Sequence, residues 1–370
     1  MAKHSSNASS MATAFHTLRL DGVRMSRGQL IDRCEALLKQ EPEKNAWLQD
    51  VLDTLLNLGR ETGLPATTSG TTGPPKHFVI PHRDLLASAA LTAQTFDLHA
   101  GDRVLHCLPS AFIAGKMMLV RAFASGLDLH LADPRGSVLD KLDPDDRFAF
   151  AAMIPLQLSR ALAEDRARVE RQFRTILLGG GPLSNALIDE VQSLSTQVFI
   201  GYGSTETLTH VALRALNGND KSDAFTALGD VHFARDPRGC LVVYTPHLSV
   251  QQHVTNDLVE LIDDTHFRWL GRYDNVILSG GKKIFPEQLE ARTASLIPYP
   301  HYFSATADSV LGQAVTLTLE SDRPQGEVIP EVMDLLIGAL SAHEMPRRII
   351  VLPRIERTGS GKMKRGNSPE

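Results

Sequence analysis

The chain has 370 residues, enough for two domains with a large core, and 42% of them are hydrophobic while 22% are charged. Its net charge is −5 at pH 7 and its basic residues are dispersed, which argues against a nucleic acid or a membrane surface as partner. Its three distant cysteines form no CxxC pair, which argues against a disulfide framework or a zinc site and favours a reduced cytoplasmic location.

The first part of the chain combines a polar leader with helical patterns. Residues 1–14 lack the apolar run of a signal peptide, and we interpret them as a disordered leader. Residues 29–39 and 47–60 carry apolar side chains at helical spacing, which predicts two short helices. A polar stretch, TTSGTTGPPK (67–76), is followed by a further predicted amphipathic helix at DLLASAALTAQTFDL (84–98).

Short apolar segments then alternate with helical patterns, which is typical of an α/β domain with a largely parallel sheet. Helices are predicted at residues 155–164 and 184–194. Residues 225–270 change to alternating, β-branched runs, which predict a small antiparallel region. The predicted buried strands are RVLHCL, LDLHLA, FAFAAMI, TILLGG and QVFIGYG.

The last hundred residues follow a compact α+β pattern. Helices are predicted at residues 286–296 and 327–342. The change of pattern places a domain boundary near Arg272, which divides the chain into a large domain (15–271) and a small C-terminal domain (272–370). The strands predicted in the small domain are NVILSG, HYFSATA, AVTLTLE and RRIIVL.

The polar stretch TTSGTTGPPK offers hydroxyl groups, glycine amides and one ammonium group, all of which suit a phosphate. It is not the loop of kinases and GTPases, because Lys76 is followed by His77 and not preceded by the required glycine. Taken alone, the stretch is explained equally well as a solvent-exposed polar loop.

Four later stretches change that balance. They are GYGSTE (201–206), TND (255–257), GRYDNVILSGGKKIFPEQLE (271–290) and RTGSGKMKR (357–365). In this order, the motifs closely resemble those of the acyl-adenylate-forming superfamily, which includes acyl-CoA and aryl-CoA ligases, peptide-synthetase adenylation domains and luciferases. The resemblance implies a large α/β domain, a small mobile C-terminal α+β domain, and the use of ATP, Mg²⁺ and coenzyme A.

The resemblance also implies how ATP is bound. The polar loop holds the β- and γ-phosphates, a glycine run contacts the adenine, and the end of a strand stacks on it. Thr205 lies near the α-phosphate, and the Glu206 carboxylate carries Mg²⁺, which prefers oxygen ligands. Asp257 accepts the ribose hydroxyls, with Arg272 nearby. The phosphate and adenine residues are Ser69, Thr71, Thr72 and Lys76, then Gly179, Gly180, Gly181, Gly201 and Tyr202.

Catalysis is implied for Lys362, with Thr205 and Glu206. Lys362 bridges the substrate carboxylate and the α-phosphate while negative charge develops on them. Asp274 falls at the hinge about which the small domain turns between two half-reactions. The glycine pair Gly280 and Gly281 then helps to line the tunnel for the CoA thiol.

The chain departs from the family pattern at two places. TND replaces TGD, so Asp257 is kept while its preceding glycine is lost. The phosphate loop starts at residue 67, much earlier than in the family. We therefore expect a sheet that is smaller or covered in another way, and we leave a homo-oligomer open.

LPSAFIAGKMMLVRAF (108–123) predicts the substrate pocket. Phe112 stands where the family often has a gating histidine, and Gly115 keeps the backbone small. Arg121 either extends to solvent, the usual case, or binds an anion. This combination is similar to short o-succinylbenzoate:CoA ligases of menaquinone biosynthesis, whose substrate has a second carboxylate that Arg121 would pair.

The function predicted from these motifs is an ATP-dependent acid:CoA ligase that makes an acyl-adenylate and then a CoA thioester, with o-succinylbenzoate as the acid. Another aryl-CoA ligase, or a stand-alone enzyme that loads a carrier protein, is the first alternative. A non-catalytic nucleotide-binding or acyl-AMP-binding protein is the second. The predicted partners are a small carboxylic acid, ATP and CoA.

Overall fold

The computed structural model describes residues 14–67, 76–181, 183–357 and 363–365. Its strands form sheets of 13, five and two strands. The helices are α1 (Arg27–Gln40), α2 (Pro42–Asn45), α3 (Leu48–Leu58), α4 (His82–Thr95), α5 (Ile113–Ser125), α6 (Pro155–Gln172), α7 (Asn185–Val191), α8 (Pro286–Thr293) and α9 (Gln325–Leu336). The strands are β1 (Thr17–Leu20), β2 (Val23–Ser26), β3 (Leu64–Thr67), β4 (His77–Ile80), β5 (Arg103–His106), β6 (Asp128–Leu131), β7 (Phe148–Met153), β8 (Phe173–Leu178), β9 (Gln197–Gly203), β10 (His210–Ala215), β11 (Phe225–Ala227), β12 (His232–Arg235), β13 (Cys240–Tyr244), β14 (Gln252–Leu261), β15 (His266–Arg272), β16 (Ile277–Ser279), β17 (Lys282–Ile284), β18 (His301–Asp308), β19 (Gly312–Glu320) and β20 (Arg348–Leu352).

The middle of the large sheet is parallel, as the alternating pattern predicts. β6, β5, β7, β8 and β9 lie side by side in this order, all parallel. Successive side chains enter different cores: Val104 belongs to the cluster with α1, α3, α4 and α5, while Leu105 belongs to the cluster with α6 and α7. Helices therefore cover both faces, and the predicted α/β class is confirmed.

The sequence reasoning did not predict the hairpin that ends this sheet beyond β6. β1 pairs in parallel with β6, and β2 pairs antiparallel with β1 as the outer strand. The turn between them is Asp21-Gly22, with φ of +50° and +78°. Two left-handed residues form the tight turn that suits the twist of a hairpin, so the Asp-Gly pair was an available signal. This hairpin precedes the polar loop in the sequence and adds two strands to the edge of the large sheet.

The antiparallel region predicted at residues 225–270 is real, but it is not separate. β10 pairs antiparallel with β9, and the sheet continues through β11, β15, β14, β13 and β12. The parallel and antiparallel strands thus form one continuous sheet. Periodicity within a strand indicates its buried face, not its neighbour, so this pairing could not be read from the sequence.

The five-stranded sheet contains β16 to β20, packed against α8 and α9 around a separate core. The predicted end of its second helix at residue 342 was wrong: α9 ends at Leu336, and Gly338 follows with φ of +85°. In α6, which packs on the large sheet, Asp165 has non-helical φ and ψ. This break directly follows residue 164, where the sequence predicted the end of the helix, and the helix then resumes to Gln172. The large sheet ends at Arg272 and the second begins at Ile277, while the division into two domains stays a prediction.

Candidate functional site

Several predicted site residues lie at the carboxyl ends of the parallel strands, where open α/β sheets bind ligands. Gly179 directly follows β8, and Gly201 lies near the end of β9, the adjacent strand. A side chain at Gly179 would project into empty space, whereas one at Gly201 would meet the His210 side chain at 3.0 Å. The edge therefore has room beside Gly179 for a flat ligand group, and Gly201 is needed for packing as well.

The turn after β9 carries Thr205 and Glu206. Thr207 closes this turn by accepting the Ser204 N–H at 2.8 Å and donating to the Thr209 carbonyl at 2.9 Å. Glu206 is exposed on this turn. Burial lowers the pKa of His253, and the negative charge of Glu206 partly offsets that lowering. Among the described residues no group of three or more His, Cys, Asp or Glu side chains is placed to hold a metal. One exposed carboxylate still fits Mg²⁺, which commonly combines one or two carboxylates with substrate phosphates.

Asp257 is the centre of a hydrogen-bonded group that only partly follows the predictions. Its Oδ2 accepts the Tyr202 hydroxyl at 2.7 Å, while its Oδ1 accepts Trp269 Nε1 at 3.2 Å and contacts Arg272 Nη1 at 3.4 Å. Burial and the neighbouring carboxylate raise the pKa of Tyr202 well above its ordinary value, so this phenol stays protonated and donates. Trp269 was not predicted. It reaches Asp257 because β14 and β15 pair antiparallel and a register shift after Leu258 sets Trp269 opposite Val259, which shares a strand face with Asp257.

We predict that Asp257→Asn raises the KM for ATP by about tenfold to 100-fold and changes the KM for the acid little. The amide has the size of the carboxylate but no charge, so it accepts weaker hydrogen bonds from the ribose hydroxyls. Hydrogen bonds to a charged group contribute about 1.5–3 kcal/mol. Steady-state kinetics with each substrate varied in turn measure the two constants. Tyr202→Phe, which removes one donor and leaves the carboxylate, should raise the KM for ATP less. An equal rise in both constants for Asp257→Asn would contradict the ribose role.

Some predicted residues fall outside the described part of the chain. Ser69, Thr71 and Thr72 do, and so does Lys362. Lys76 is described, and it is exposed immediately before β4.

Two ion pairs lie on either side of the position of Lys362 in the sequence. Arg357 donates to Glu320 at 2.7 Å, and Arg365 makes two bonds of 2.7 Å with Glu290. Arg365 also donates to the Phe303 carbonyl at 2.6 Å. The chain is therefore fixed to the second sheet and its helix shortly before and shortly after the segment that contains the lysine.

Gly280 and Gly281, predicted at the CoA tunnel, form the turn between β16 and β17. Their φ values are +55° and +78°, the left-handed pair that a two-residue hairpin turn needs. The turn alone therefore explains both glycines, and the tunnel role stays a prediction. Asp274, the predicted hinge residue, lies in the short helical turn Tyr273–Asn275 between the two sheets.

Arg121 on α5 does not extend to solvent, so the usual interpretation of such a residue was wrong here. Its side chain is 2% exposed, its Nη1 meets only the Met118 sulfur at 3.4 Å, and its Nε has no hydrogen-bond partner. Burial lowers the pKa of Arg121 to about 10, which still leaves it charged near neutral pH. A buried cation without a carboxylate among the described residues is a costly arrangement that an anionic ligand would relieve.

A small group of polar side chains on α4 and at the start of β10 includes His210, which feels the charge of Arg121. His210 is 8% exposed, and burial followed by the Arg121 charge lowers its pKa well below the ordinary value. Its Nε2 lies 3.4 Å from the Thr92 hydroxyl, and the Ser88 and Thr209 hydroxyls are 3.1 Å apart. The sequence analysis missed Ser88, Thr92 and Thr209, because helix and strand periodicity makes such small polar residues look like ordinary packing.

Phe112 and Gly115 lie at the start of α5. Phe112 is the residue before the helix and is 40% exposed. Gly115 is fully packed: a methyl group there would approach the Pro109 carbonyl oxygen to 2.3 Å. Close contact between helix and loop therefore explains this glycine, whatever its part in substrate binding.

We predict that Gly115→Ala lowers the free energy of unfolding by about 1–3 kcal/mol, the usual cost of forcing an extra carbon into a packed site. Gly326→Ala is the matched control, because that helical glycine has nothing within 4 Å of an added methyl group and alanine favours a helix. Urea unfolding of both variants measures the difference. A Gly115→Ala protein as stable as the control would contradict the close packing.

The chain is similar to known proteins in sequence and in fold. The AMP-binding enzyme family model matches residues 66–231. The 2-succinylbenzoate–CoA ligase of Bacillus subtilis (strain 168) is 27% identical over 331 residues, covering 80% of this chain and 66% of its own length. This chain thus spans about two thirds of that relative. None of the helices in the described ranges combines the length and the hydropathy that crossing a membrane requires.

Solved structures share the fold. An acyl-CoA synthetase (AMP-forming)/AMP-acid ligase II-like protein from Dyadobacter fermentans DSM 18053 is 34% identical, with a TM-score of 0.57 over 89% of this chain and 95% of its own. The O-succinylbenzoate coenzyme A synthetase of Bacillus subtilis, solved with ATP and magnesium ion, is 24% identical, with a TM-score of 0.69 over 81% and 68%. The first of these matches nearly its whole length to this chain.

Proposed function

Because the chain belongs to the AMP-binding enzyme family, we propose that it is an ATP- and Mg²⁺-dependent acid:CoA ligase. It activates a small carboxylic acid as the acyl-adenylate, releases pyrophosphate, and passes the acyl group to the thiol of CoA with release of AMP. The acid we propose is 2-succinylbenzoate, the substrate named for the Bacillus subtilis relative.

The observation that carries the choice of acid is the buried, unpaired Arg121. 2-Succinylbenzoate has two carboxylates, and only one of them reacts with ATP. The other remains charged and needs a cationic partner if it enters an apolar core. A guanidinium already out of water would bind it with a charge-assisted hydrogen bond, while a monocarboxylic acid would leave the cation unpaired. His210 is held neutral and so does not compete for the anion.

The remaining site residues divide the work on ATP between them. Asp257, fixed by Tyr202 and Trp269, offers its carboxylate to the ribose hydroxyls. Glu206 would hold Mg²⁺, which neutralises phosphate charge when it is bound. Lys362 stabilises the charge that develops as the acid attacks the α-phosphate. Three buried, unpaired cysteines support a reducing, cytoplasmic location for this reaction.

Pyrophosphate release from ATP and Mg²⁺, measured over a panel of carboxylic acids with and without CoA, tests the proposal. We expect 2-succinylbenzoate to stimulate release above benzoate and aliphatic acids, and CoA to allow many turnovers. Stimulation by an acid but not by CoA would favour a carrier protein as acceptor. Release that no acid stimulates would rule out the ligase and leave a nucleotide-binding protein.

A further inference from the structure

The turn between the two sheets is held by side chains from the antiparallel end of the large sheet. Asn256 Nδ2, on β14, donates to the Asp274 carboxylate at 3.0 Å. The guanidinium of Arg238, in the turn between β12 and β13, lies 5.3 Å from the centre of the Tyr273 ring. Two consecutive residues of the turn are thus tied back to the large sheet.

The two groups that make these contacts also support each other. Arg238 Nη1 donates to Asn256 Oδ1 at 2.9 Å, and its Nη2 donates to the Thr255 carbonyl at 3.1 Å. The same guanidinium forms an ion pair with Asp236, with Nη2 at 2.7 Å and Nε donating at 2.8 Å. Asn256 therefore accepts from Arg238 with one end of its amide and donates to Asp274 with the other.

The next residue of the turn belongs to the other sheet. The Asn275 side chain donates to Glu287 on α8, the helix that packs on the five-stranded sheet. Asp274 is therefore bonded to the large sheet, and Asn275 is bonded to the helix that packs on the five-stranded sheet. The backbone between these two residues is therefore where movement of one sheet against the other would be taken up.

We propose that Asn256, supported by Arg238, is a positioning residue that restrains the second sheet through Asp274. The family pattern has glycine at this position, which could not make either bond of the Asn256 side chain. The inference rests on the proposed function in one respect, because two half-reactions at one site need the second sheet to move. The restraint then sets the fraction of time that the second sheet spends in each of its two positions.

Hydrogen–deuterium exchange of the ligand-free protein tests the restraint without any reaction. Asn256→Gly removes both bonds, whereas Asn256→Asp keeps an acceptor for Arg238 and sets a carboxylate against Asp274. We expect the amide of Val276, which donates to the Tyr273 carbonyl at 3.4 Å, to exchange about tenfold faster in both variants, a factor that corresponds to about 1.4 kcal/mol. The paired strands β18 and β19 should exchange at the wild-type rate. Exchange in Asn256→Asp equal to wild type would overturn the proposal.

The two half-reactions give the second measurement. Adenylate formation is followed by pyrophosphate release, and thioester formation is followed from supplied acyl-adenylate and CoA. We expect the ratio of the two kcat values to change about tenfold in both variants, while each KM changes less than threefold. Faster exchange with an unchanged ratio would overturn the positioning role. If the wild type ligates no acid but the exchange result is obtained, the restraint stands and the proposed function fails.

Discussion

Lys362→Ala should lose adenylate formation by about 10²–10³-fold while it still converts a supplied acyl-adenylate and CoA to the thioester. The first half-reaction concentrates negative charge on the attacking carboxylate and the α-phosphate, and a preorganised cation lowers that barrier. Removal of one such group typically costs about 2.7–4 kcal/mol. The second half-reaction has no leaving pyrophosphate and does not need the lysine.

Lys364→Ala is the matched control, since Lys364 lies two positions away and makes an exposed ion pair of 3.6 Å with Glu356. Exposed pairs contribute about 0–1 kcal/mol, so this variant should keep both half-reactions near the wild-type rate. Single-turnover measurements of each half-reaction separate the outcomes. Equal loss of both steps in Lys362→Ala would contradict its assignment to the first.

Arg121→Met should have opposite effects on stability and on substrate use. A methionine of similar length removes an uncompensated charge from the core, so the unliganded protein should melt at a higher temperature. The same change removes the partner of the second carboxylate. Loss of one member of a buried charge pair costs about 2–5 kcal/mol, so kcat/KM for 2-succinylbenzoate should fall roughly 30-fold to several thousand-fold.

Benzoate is the matched substrate for this variant, because it has no second carboxylate and its kcat/KM should change little. Arg121→Lys keeps the charge without the planar fork and should recover part of the activity on 2-succinylbenzoate. Kinetics with both acids and thermal melts without ligand are the measurements. An equal fall for both acids, or a lower melting temperature for Arg121→Met, would assign Arg121 to structure instead.

The sequence predicted best where a pattern is local. Apolar runs bounded by glycine located strands such as β8, and helical spacing located α4 and α6. The Asp21-Gly22 hairpin was missed although its dipeptide is a strong turn signal, because its strands are only four residues long. The joining of β10 to β9 could not be predicted, since pairing depends on tertiary contacts between distant segments.

In the candidate site, too, local motifs were predictable from the sequence while contacts between distant segments were not. The motifs assign roles to Asp257, Glu206 and Lys362 by position alone, and these roles stay predictions. Motifs did not predict that Trp269 would reach Asp257, nor that Ser88 and Thr92 would meet Thr209 and His210, because these contacts join separate elements. The sequence left two interpretations of Arg121 open, extension to solvent and binding of an anion in the substrate pocket. An arginine on an apolar helix usually reaches water, and only the three-dimensional packing shows that this one does not.

The most direct test is a single incubation of the purified protein with ATP, Mg²⁺, CoA and 2-succinylbenzoate, analysed by mass spectrometry. The proposed ligase should produce the CoA thioester of the acid together with an equal amount of AMP, and neither product should form without the acid. Formation of ADP in place of AMP, or complete absence of the thioester, would contradict acyl-adenylate chemistry at this site.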